Sequence, residues 1–288
     1  MNELIPLIIT QIICESFPIS SAGHMMIAKI FWEYIYKTPI ILPKEFDFFL
    51  HVPTIFVIII VLWSRWFPPI RFLFKGLWAQ LTNKKVSSHY YTLLKIFFKI
   101  VLYGLIVGVI MALFYFFIIE WGERLITPHS EKILTLGLFI TMSLLLSLFI
   151  KERQKIKYSG GLTLTRAIIL GITQGITLLP VGISRFASTY VIFRWLNVSP
   201  RRAFEISFLF YFPLVTAGTI KGMFSLYFSH NLAQMLTPTL LSVYFFSGLI
   251  ALLGFWFMYK IALNKKLSWV GIYMIIPLSI MGFLIFKK

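Results

Sequence analysis

Long apolar runs separated by short polar stretches dominate the chain and define its predicted elements. A helix that crosses the hydrocarbon core of a bilayer needs about 20 apolar residues. Six runs meet that length, at 46–64, 97–119, 133–150, 203–222, 239–260 and 268–286. The pattern therefore predicts an all-α polytopic membrane protein with about six transmembrane helices.

Two further apolar segments, 4–30 and 164–193, are interrupted near their middle by Pro18 and Pro180, with Gly and Ser nearby. At about 1.5 Å per residue, a half-helix over 4–16 reaches only about 20 Å, which is too short to cross. Irregular backbone at this depth is tolerated only where protein or water covers it. Each segment is therefore predicted to be a re-entrant helical hairpin with a polar tip; a proline-kinked full span is the alternative.

The two broken segments resemble each other. "IITQIICESFPIS" (8–20) and "GITQGITLLPVGIS" (171–184) share Ile-Thr-Gln and a later proline, and three predicted spans follow each segment. A unit with an odd number of crossings leaves the next unit upside down. The sequence therefore predicts one membrane domain, 1–288, built from inverted repeats of approximately 1–150 and 151–288.

The positions of Lys and Arg indicate an orientation. If 65–96 is cytoplasmic, the alternation of the spans also makes 151–166, 194–202 and 260–267 cytoplasmic. These four stretches hold 17 Lys and Arg residues, whereas the loops on the opposite side hold 6. The positive-inside rule then places both termini outside, with the first hairpin entering from outside. This distribution explains the net charge of +17 without nucleic acid.

Composition excludes a soluble protein, because the chain is 59% hydrophobic and 13% charged and has a mean hydropathy of +0.86. The single cysteine, Cys14, excludes an intramolecular disulfide and is expected to be a packing residue. No cleavable signal peptide is predicted, since the first apolar run lacks a basic start and carries Gln11 and Glu15.

Ionisable groups within apolar segments are costly and therefore indicate function. Such groups are Glu15 and His24 in the first hairpin, Arg185 in the second, Glu205 in the fourth span, and Asp47 and His51 near the start of the first span. Glu205 is the exception. It is expected to cap its span, which begins near Pro200, or to pair with Arg201 or Arg202.

The first hairpin is predicted to start its second half-helix at Pro18, because proline suits the first helical position. Ser20 and Ser21 then fall in the first turn, and His24 follows within reach of both. Ser20 has two open roles, phosphate binding and satisfaction of the backbone.

Spacing places further polar groups on shared helix faces. Gln11 and Glu15 lie at i and i+4, and so do Arg185 and Thr189, with Ser184 directly before the arginine. Two half-helix N-termini at one cavity make an anion site, and an adjacent arginine favours phosphate. A carboxylate there indicates either a divalent cation that bridges to phosphate or proton transfer by Glu15.

A hydroxyl and an imidazole add a nucleophile and an acid or base. The predicted chemistry is phosphoryl transfer from a phosphate whose carrier lies in the bilayer. The rival interpretation is a secondary transporter or lipid flippase, because inverted repeats with broken helices are typical of transporters. A structural membrane subunit would leave the ionisable cluster unexplained.

These motifs resemble the undecaprenyl-diphosphate phosphatase family of the bacitracin-resistance type. That family has three motifs. The first is a Glu or Gln separated by three residues from a Glu, the second is Pro-x-Ser-Ser-x-Gly-His, and the third is Pro-Gly-x-Ser-Arg-Ser-x-x-Thr. Gln11 and Glu15, "PISSAGH" and "PVGISRFAST" match these in turn, and the resemblance extends through 46–65 and 197–221. It implies hydrolysis of the terminal phosphate of undecaprenyl diphosphate at the outer face of the bacterial inner (plasma) membrane, which recycles the lipid carrier for cell-wall synthesis.

The resemblance also implies roles and partners. Glu15 with Gln11 would bind Mg²⁺ or Ca²⁺, Ser21 or His24 would be nucleophile and acid or base, with Ser21 favoured, and Arg185 would hold the phosphate, assisted by Ser184, Ser20 and Thr189. The expected partners are the polyprenyl diphosphate substrate, membrane lipids and a second copy in a homodimer, and no nucleic acid.

The sequence departs from the family pattern at four positions. Gln11 stands where many members have a second glutamate, and Ala22 stands where threonine is common. Val181 is an additional residue, and Phe186 replaces a serine. We expect activity with a changed dependence on metal.

Overall fold

The computed structural model describes residues 4–37, 39–40, 50–85, 87–126, 130–155, 157–178, 182–230, 233 and 236–286. In these ranges every regular element is a helix. The helices are α1 (Ile5–Cys14), α2 (Ser21–Tyr36), α3 (Val52–Leu81), α4 (Ser88–Ile126), α5 (Ser130–Arg153), α6 (Leu164–Ile176), α7 (Arg185–Trp195), α8 (Pro200–Phe228), α9 (Pro238–Leu263), α10 (Ser268–Tyr273) and α11 (Ile275–Phe286). Six apolar stretches, with α10 and α11 forming one, are long enough to cross a membrane, which confirms the predicted all-α polytopic class.

Most long helices extend beyond the predicted spans. The stretch 65–96, predicted as a loop, is largely helical, because α3 continues through Pro68 and Pro69 to Leu81 and α4 begins at Ser88. The two prolines remove helix hydrogen bonds. The extension of α3 nevertheless packs on α4, where a Cβ on Gly76 would lie 2.0 Å from the ring of Tyr90. The predicted start of this span at 46–49, which includes Asp47, lies outside the described residues.

The last predicted span, 268–286, consists of two helices. α10 ends at Tyr273 and α11 begins at Ile275. Pro277 has no N–H to donate to the carbonyl of Tyr273, which explains the interruption. The bonds from Met274 N–H to the Val270 carbonyl and from Leu278 N–H to the Met274 carbonyl, both 3.2 Å, keep the segment nearly continuous.

Two breaks lie at the predicted positions. The first break (residues 15–20) separates α1 from α2, and the second break (residues 177–184) separates α6 from α7; Pro180 and Val181 lie outside the described residues. The prediction that Pro18 starts the second half-helix is wrong. α2 begins at Ser21, because the Ser20 hydroxyl caps it by accepting the N–H of Gly23 at 3.1 Å.

Helix packing brings the two halves of the chain together. α1 packs against α9 and α6 against α4, while α2 contacts α11 and α7 contacts α5. Buried phenylalanines join α7, α8 and α9: Phe208 lies 4.6 Å from both Phe186 and Phe255, measured between ring centroids. Large apolar side chains such as Phe98 and Leu253 point outward, as expected of a surface that faces lipid.

The far end of α7 is fixed by a buried ion pair. The Arg194 guanidinium, which is fully buried, donates two hydrogen bonds of 2.7 and 2.6 Å to the Glu152 carboxylate of α5. A bidentate pair of this kind restricts orientation as well as distance. It therefore helps to hold α7, and with it the residue at its start, Arg185.

Candidate active site

The two breaks contribute to one small polar cavity. Its polar walls consist of Glu15, Ser20 and Ser21 from the first break and the start of α2, Ser184 and Arg185 from the second break and the start of α7, and Tyr211 of α8. The cavity thus brings together five of the predicted site residues. Of the other three, Gln11 contacts Glu15, whereas His24 and Thr189 do not line the cavity.

The Glu15 carboxylate is buried and accepts hydrogen bonds from three side chains. The hydroxyl of Ser21 donates to Oε1, the hydroxyl of Tyr211 donates to Oε2, and the Gln11 amide donates to Oε1 at 3.3 Å. The Nδ1 atom of His51 lies 3.7 Å from Oε1. This arrangement places the Glu15 carboxylate in direct contact with a serine hydroxyl.

His24 is turned towards the backbone and the last span. Its Nδ1 atom lies 2.7 Å from the Ser20 carbonyl, and its Nε2 atom lies 3.3 Å from the Tyr273 hydroxyl. Because a carbonyl can only accept, Nδ1 carries the proton and Nε2 accepts from the tyrosine. His24 therefore contacts Ser20 through the backbone, and neither serine hydroxyl is its partner in the described part of the chain.

The second break is shaped by Gly182 and by Thr141 of α5. Gly182 has φ = +110°, and a Cβ there would lie 2.5 Å from the carbonyl oxygen of Leu134, so only glycine fits. The Thr141 hydroxyl donates to the Gly182 carbonyl and accepts from the Ser184 N–H, both at 3.0 Å. Thr141 thus holds the backbone that leads into Arg185.

Arg185 is the first residue of α7, and Ser184 caps that helix by accepting the N–H of Ala187 at 3.2 Å. The guanidinium carbon lies 5.3 Å from the ring centroid of Tyr211. Among the described residues, no carboxylate lies within 4.0 Å of its nitrogen atoms. An arginine at a helix N-terminus without an anionic partner is suited to bind an anion.

Glu205 differs from its predicted roles. Its Oε1 atom lies 3.5 Å from Nε of Arg65, because α3 packs against α8. The expected capping of α8 is wrong, because Ser199 is the N-cap residue. Arg201 and Arg202 attract the Glu205 carboxylate electrostatically, as expected, but neither forms an ion pair with it within 4.0 Å.

Two further residues of "PVGISRFAST", Thr189 and Phe186, are buried. Thr189 is 1% exposed, and its hydroxyl has no hydrogen-bond partner among the described residues. Phe186, at the position of the family's serine, joins the aromatic cluster and also lines the cavity. The substitution therefore adds apolar packing beside the arginine.

Sequence reasoning missed four residues that the fold brings to the site: Tyr211, Tyr273, Thr141 and, as a neighbour of Glu15, His51. His51 was noticed as an ionisable group near the start of the first span, but it was not among the predicted site residues. Tyr211 lies in "FLFYFPL", where an aromatic residue among apolar ones gives no signal. Contacts between distant helices assign these residues to the site.

The oxygen atoms around Glu15 were examined as ligands for a divalent cation. No group of three His, Cys, Asp or Glu side chains in the described ranges is arranged to hold a metal. Gln11 Oε1, however, is buried without a hydrogen-bond partner beside the carboxylate. Mg²⁺ commonly takes one or two carboxylates together with substrate phosphates. The residues therefore fit a cation that is held jointly with a phosphate.

Comparison with known proteins gives one consistent result. Residues 5–280 match the family described as bacitracin resistance protein BacA. A Borrelia hermsii protein named undecaprenyl-diphosphatase is 30% identical over 274 residues, which cover 95% of each chain. Proteins of the same name from Borrelia recurrentis and Leptospira biflexa are 28% and 25% identical, with 99% and 91% of this chain and 100% and 90% of theirs covered.

Proposed function

The chain belongs to the bacitracin resistance protein BacA family, and we propose that it removes the terminal phosphate of undecaprenyl diphosphate, giving undecaprenyl phosphate and inorganic phosphate. The relatives that match nearly the whole chain carry the name of this activity. The observation that carries the proposal is the hydrogen bond from Ser21 to Glu15, on a cavity that Arg185 also lines.

The positive groups of the cavity are suited to hold the diphosphate. Arg185 offers a planar pair of donors, and the N-termini of α2 and α7 add the positive ends of two helix dipoles. The hydroxyls of Ser20 and Ser184 each cap their own helix, so their contribution to phosphate binding is to position these N-termini. Thr189 assists only through packing behind Arg185.

Ser21 is the proposed nucleophile. Its hydroxyl passes its proton to Glu15, its oxygen forms a bond to the terminal phosphorus, and the bond from that phosphorus to the bridging oxygen breaks, which releases undecaprenyl phosphate. A water oxygen then bonds to the phosphorus of the phosphoserine, and the bond from phosphorus to the Ser21 oxygen breaks as Glu15 returns its proton to that oxygen. Inorganic phosphate leaves with the hydroxyl of the water, whose other proton passes to the phosphate or to solvent. A carboxylate in direct contact with the hydroxyl supports this role. His24 positions the start of α2 through the Ser20 carbonyl.

We propose that Glu15 and the side-chain oxygen of Gln11 would hold a Mg²⁺ or Ca²⁺ ion. When bound, it would neutralise phosphate charge and polarise the bond that breaks. With Gln11 in place of glutamate, one anionic ligand fewer is available, so we expect weaker binding of the cation and readier inhibition by EDTA.

The proposed membrane arrangement is an inverted repeat in the bacterial inner membrane. α1 has 10 residues and α6 has 13, so each spans only about 15 to 20 Å, and each packs against the helix that follows its break. The pairs α1–α9 and α6–α4 are equivalent under a two-fold exchange of the halves, and so are α2–α11 and α7–α5. These features support two re-entrant hairpins within a single membrane domain.

The transporter or flippase alternative explains broken helices equally well. It does not require a serine in contact with a glutamate, and the names of the relatives do not favour it. A homodimer stays a prediction, which the mass of the purified protein in detergent tests.

Phosphate release from undecaprenyl diphosphate by the purified protein tests the function. We expect release by the wild type, strong inhibition by EDTA with recovery on adding Mg²⁺ or Ca²⁺, and loss in Ser21→Ala. Rapid quenching with substrate labelled in the terminal phosphate should leave label on Ser21. The absence of release from the wild type would refute the function, whereas unimpaired release by Ser21→Ala would refute only the nucleophile.

Labelling of single cysteines tests the orientation in a background in which Cys14 is replaced by alanine. A cysteine at Ser229 should react with an impermeant thiol reagent in intact cells, and a cysteine at Lys155 should react only after lysis. The opposite pattern would mean that the cavity opens to the cytoplasm.

A further inference from the structure

A second cavity, distinct from the candidate active site, lies between α4 and α8. This α4–α8 groove has a volume of about 390 Å³. Its walls include Lys99, Ile100 and Tyr103 of α4 and Arg202, Ile206 and Leu209 of α8. Arg202 precedes Tyr211 by nine residues, so its Cα lies about 14 Å along α8 from that part of the active site.

The helix pair that forms the groove is open, whereas the equivalent helix pair in the other half of the molecule is closely packed. Under the proposed exchange of the two halves, α4 and α8 correspond to α9 and α3, and α9 packs extensively against α3. The α4–α8 pair instead remains open, with apolar side chains on both walls. Water is a poor occupant of an apolar groove, so in a bilayer this space is suited to a lipid.

Charge distribution identifies the kind of lipid. Lys99 and Arg202 are exposed, and neither forms an ion pair within 4.0 Å in the described part of the chain. The one carboxylate on the wall, Glu205, is offset by Arg65 at 3.5 Å. The Lys99 amine lies 5.5 Å from the ring centroid of Tyr103. Lys99 and Arg202 therefore stand above an apolar floor, and the attraction of Glu205 is shared among Arg65, Arg201 and Arg202.

We propose that an anionic glycerophospholipid of the surrounding bilayer binds in the α4–α8 groove. Its phosphate lies between Lys99 and Arg202, and one acyl chain follows Ile100, Ile206 and Leu209 between the helices. The N-terminus of α8 at Pro200 adds a positive dipole end next to Arg202. Basic pockets between transmembrane helices bind anionic headgroups in this way. The apolar floor disfavours free phosphate.

Native mass spectrometry of the full-length protein in detergent tests the site, with phosphatidylglycerol as the probe. We expect one phosphatidylglycerol to bind more tightly than phosphatidylcholine. The double variant Lys99→Ala/Arg202→Ala should bind it about thirtyfold more weakly, since each of the two cations near a headgroup contributes on the order of 1 kcal/mol. Leu209→Trp, which fills the floor without changing charge, should also weaken binding.

The matched control is Arg71→Ala/Lys75→Ala, which removes the same charge from exposed positions of α3 outside the groove. It should bind phosphatidylglycerol like the wild type. Equal binding by the Lys99/Arg202 variant, or equal affinity of the wild type for phosphatidylcholine, overturns the proposal. The proposal is also overturned if the Lys99/Arg202 variant loses binding of undecaprenyl phosphate but not of phosphatidylglycerol. It is overturned as well if inorganic phosphate alone displaces phosphatidylglycerol from the wild type. If the double variant does not fold, the result for Leu209→Trp decides.

Discussion

The two breaks use the same backbone device and carry opposite charge. Ser20 and Ser184 are both N-cap residues, with φ and ψ of −79° and 108° in one and −76° and 116° in the other. Their hydroxyls accept the N–H three residues ahead at 3.1 and 3.2 Å. The first break adds a carboxylate and the second adds an arginine. The shared geometry places two helix N-termini at the cavity. The side chains differ, so one N-terminus is accompanied by the Glu15 carboxylate and the other by the Arg185 guanidinium.

The two charged groups also differ in how well the protein satisfies them. Glu15 accepts hydrogen bonds from Ser21, Tyr211 and Gln11, whereas Arg185 contacts a tyrosine ring and no carboxylate within the described ranges. The protein therefore holds the Glu15 carboxylate in place and leaves the Arg185 guanidinium available. This asymmetry is expected of a site in which an anionic substrate supplies the missing partner.

Removal of the carboxylate should have the largest effect. Glu15→Gln retains the shape and can still accept hydrogen bonds, but it cannot take the proton from Ser21. We expect kcat for phosphate release to fall by about 10³-fold, within the usual range for loss of a general base. Glu33→Gln is the control, because this half-buried carboxylate of α2 lies outside the cavity and contacts Lys29 and the Ile40 N–H. Retention of more than a tenth of the wild-type kcat would remove Glu15 from proton transfer.

Removal of the arginine should have the next largest effect. We expect Arg185→Ala to lower kcat/KM by about 10²-fold through loss of charge-assisted hydrogen bonds to the phosphate. Arg185→Lys should recover only part of this loss, because an ammonium lacks the planar fork. Steady-state kinetics with undecaprenyl diphosphate measure both, and Arg166→Lys is a control outside the cavity. Full activity of Arg185→Lys would mean that charge alone is sufficient.

Tyr211 links the two breaks, and its two contacts can be separated. Tyr211→Phe removes the hydrogen bond to Glu15 and keeps the ring near Arg185, so we expect kcat to fall about tenfold with little change in KM. Tyr211→Leu should also raise KM, because Arg185 loses its ring contact. Tyr190→Phe, whose hydroxyl bonds the distant Ala262 carbonyl, is the control. Equal kinetics of the Phe and Leu variants would argue against a role for the ring.

The smallest effect should come from the caps and should be similar in both halves. Ser20→Ala and Ser184→Ala each remove one capping hydrogen bond, which costs about 1 kcal/mol of stability. Thermal unfolding in detergent should show comparable decreases in Tm, with smaller decreases for the glycine variants, since glycine is a better N-cap than alanine. A decrease in only one half would show that the two caps are not equivalent.

Several features followed from local pattern alone. The six apolar stretches, the breaks near Pro18 and Pro180, and the helical spacing of Gln11 and Glu15 depend on neighbouring residues, so they could be predicted. Helix ends were less predictable. Tertiary contact between Gly76 and Tyr90 extends α3 past two prolines, and the Ser20 cap rather than Pro18 starts α2.

The sequence by itself determined the membrane class, the polar breaks and most of the polar residues of the cavity, because hydrophobic period, proline and intramembrane charge are local signals. Only the tertiary structure decided that Tyr211 reaches Glu15 from 196 positions away, that Thr141 shapes the second break, and that His24 turns from the serine hydroxyls to Tyr273. These pairings depend on which helices pack together. The sequence around a tyrosine in an apolar run does not indicate which residue it will contact after the helices pack.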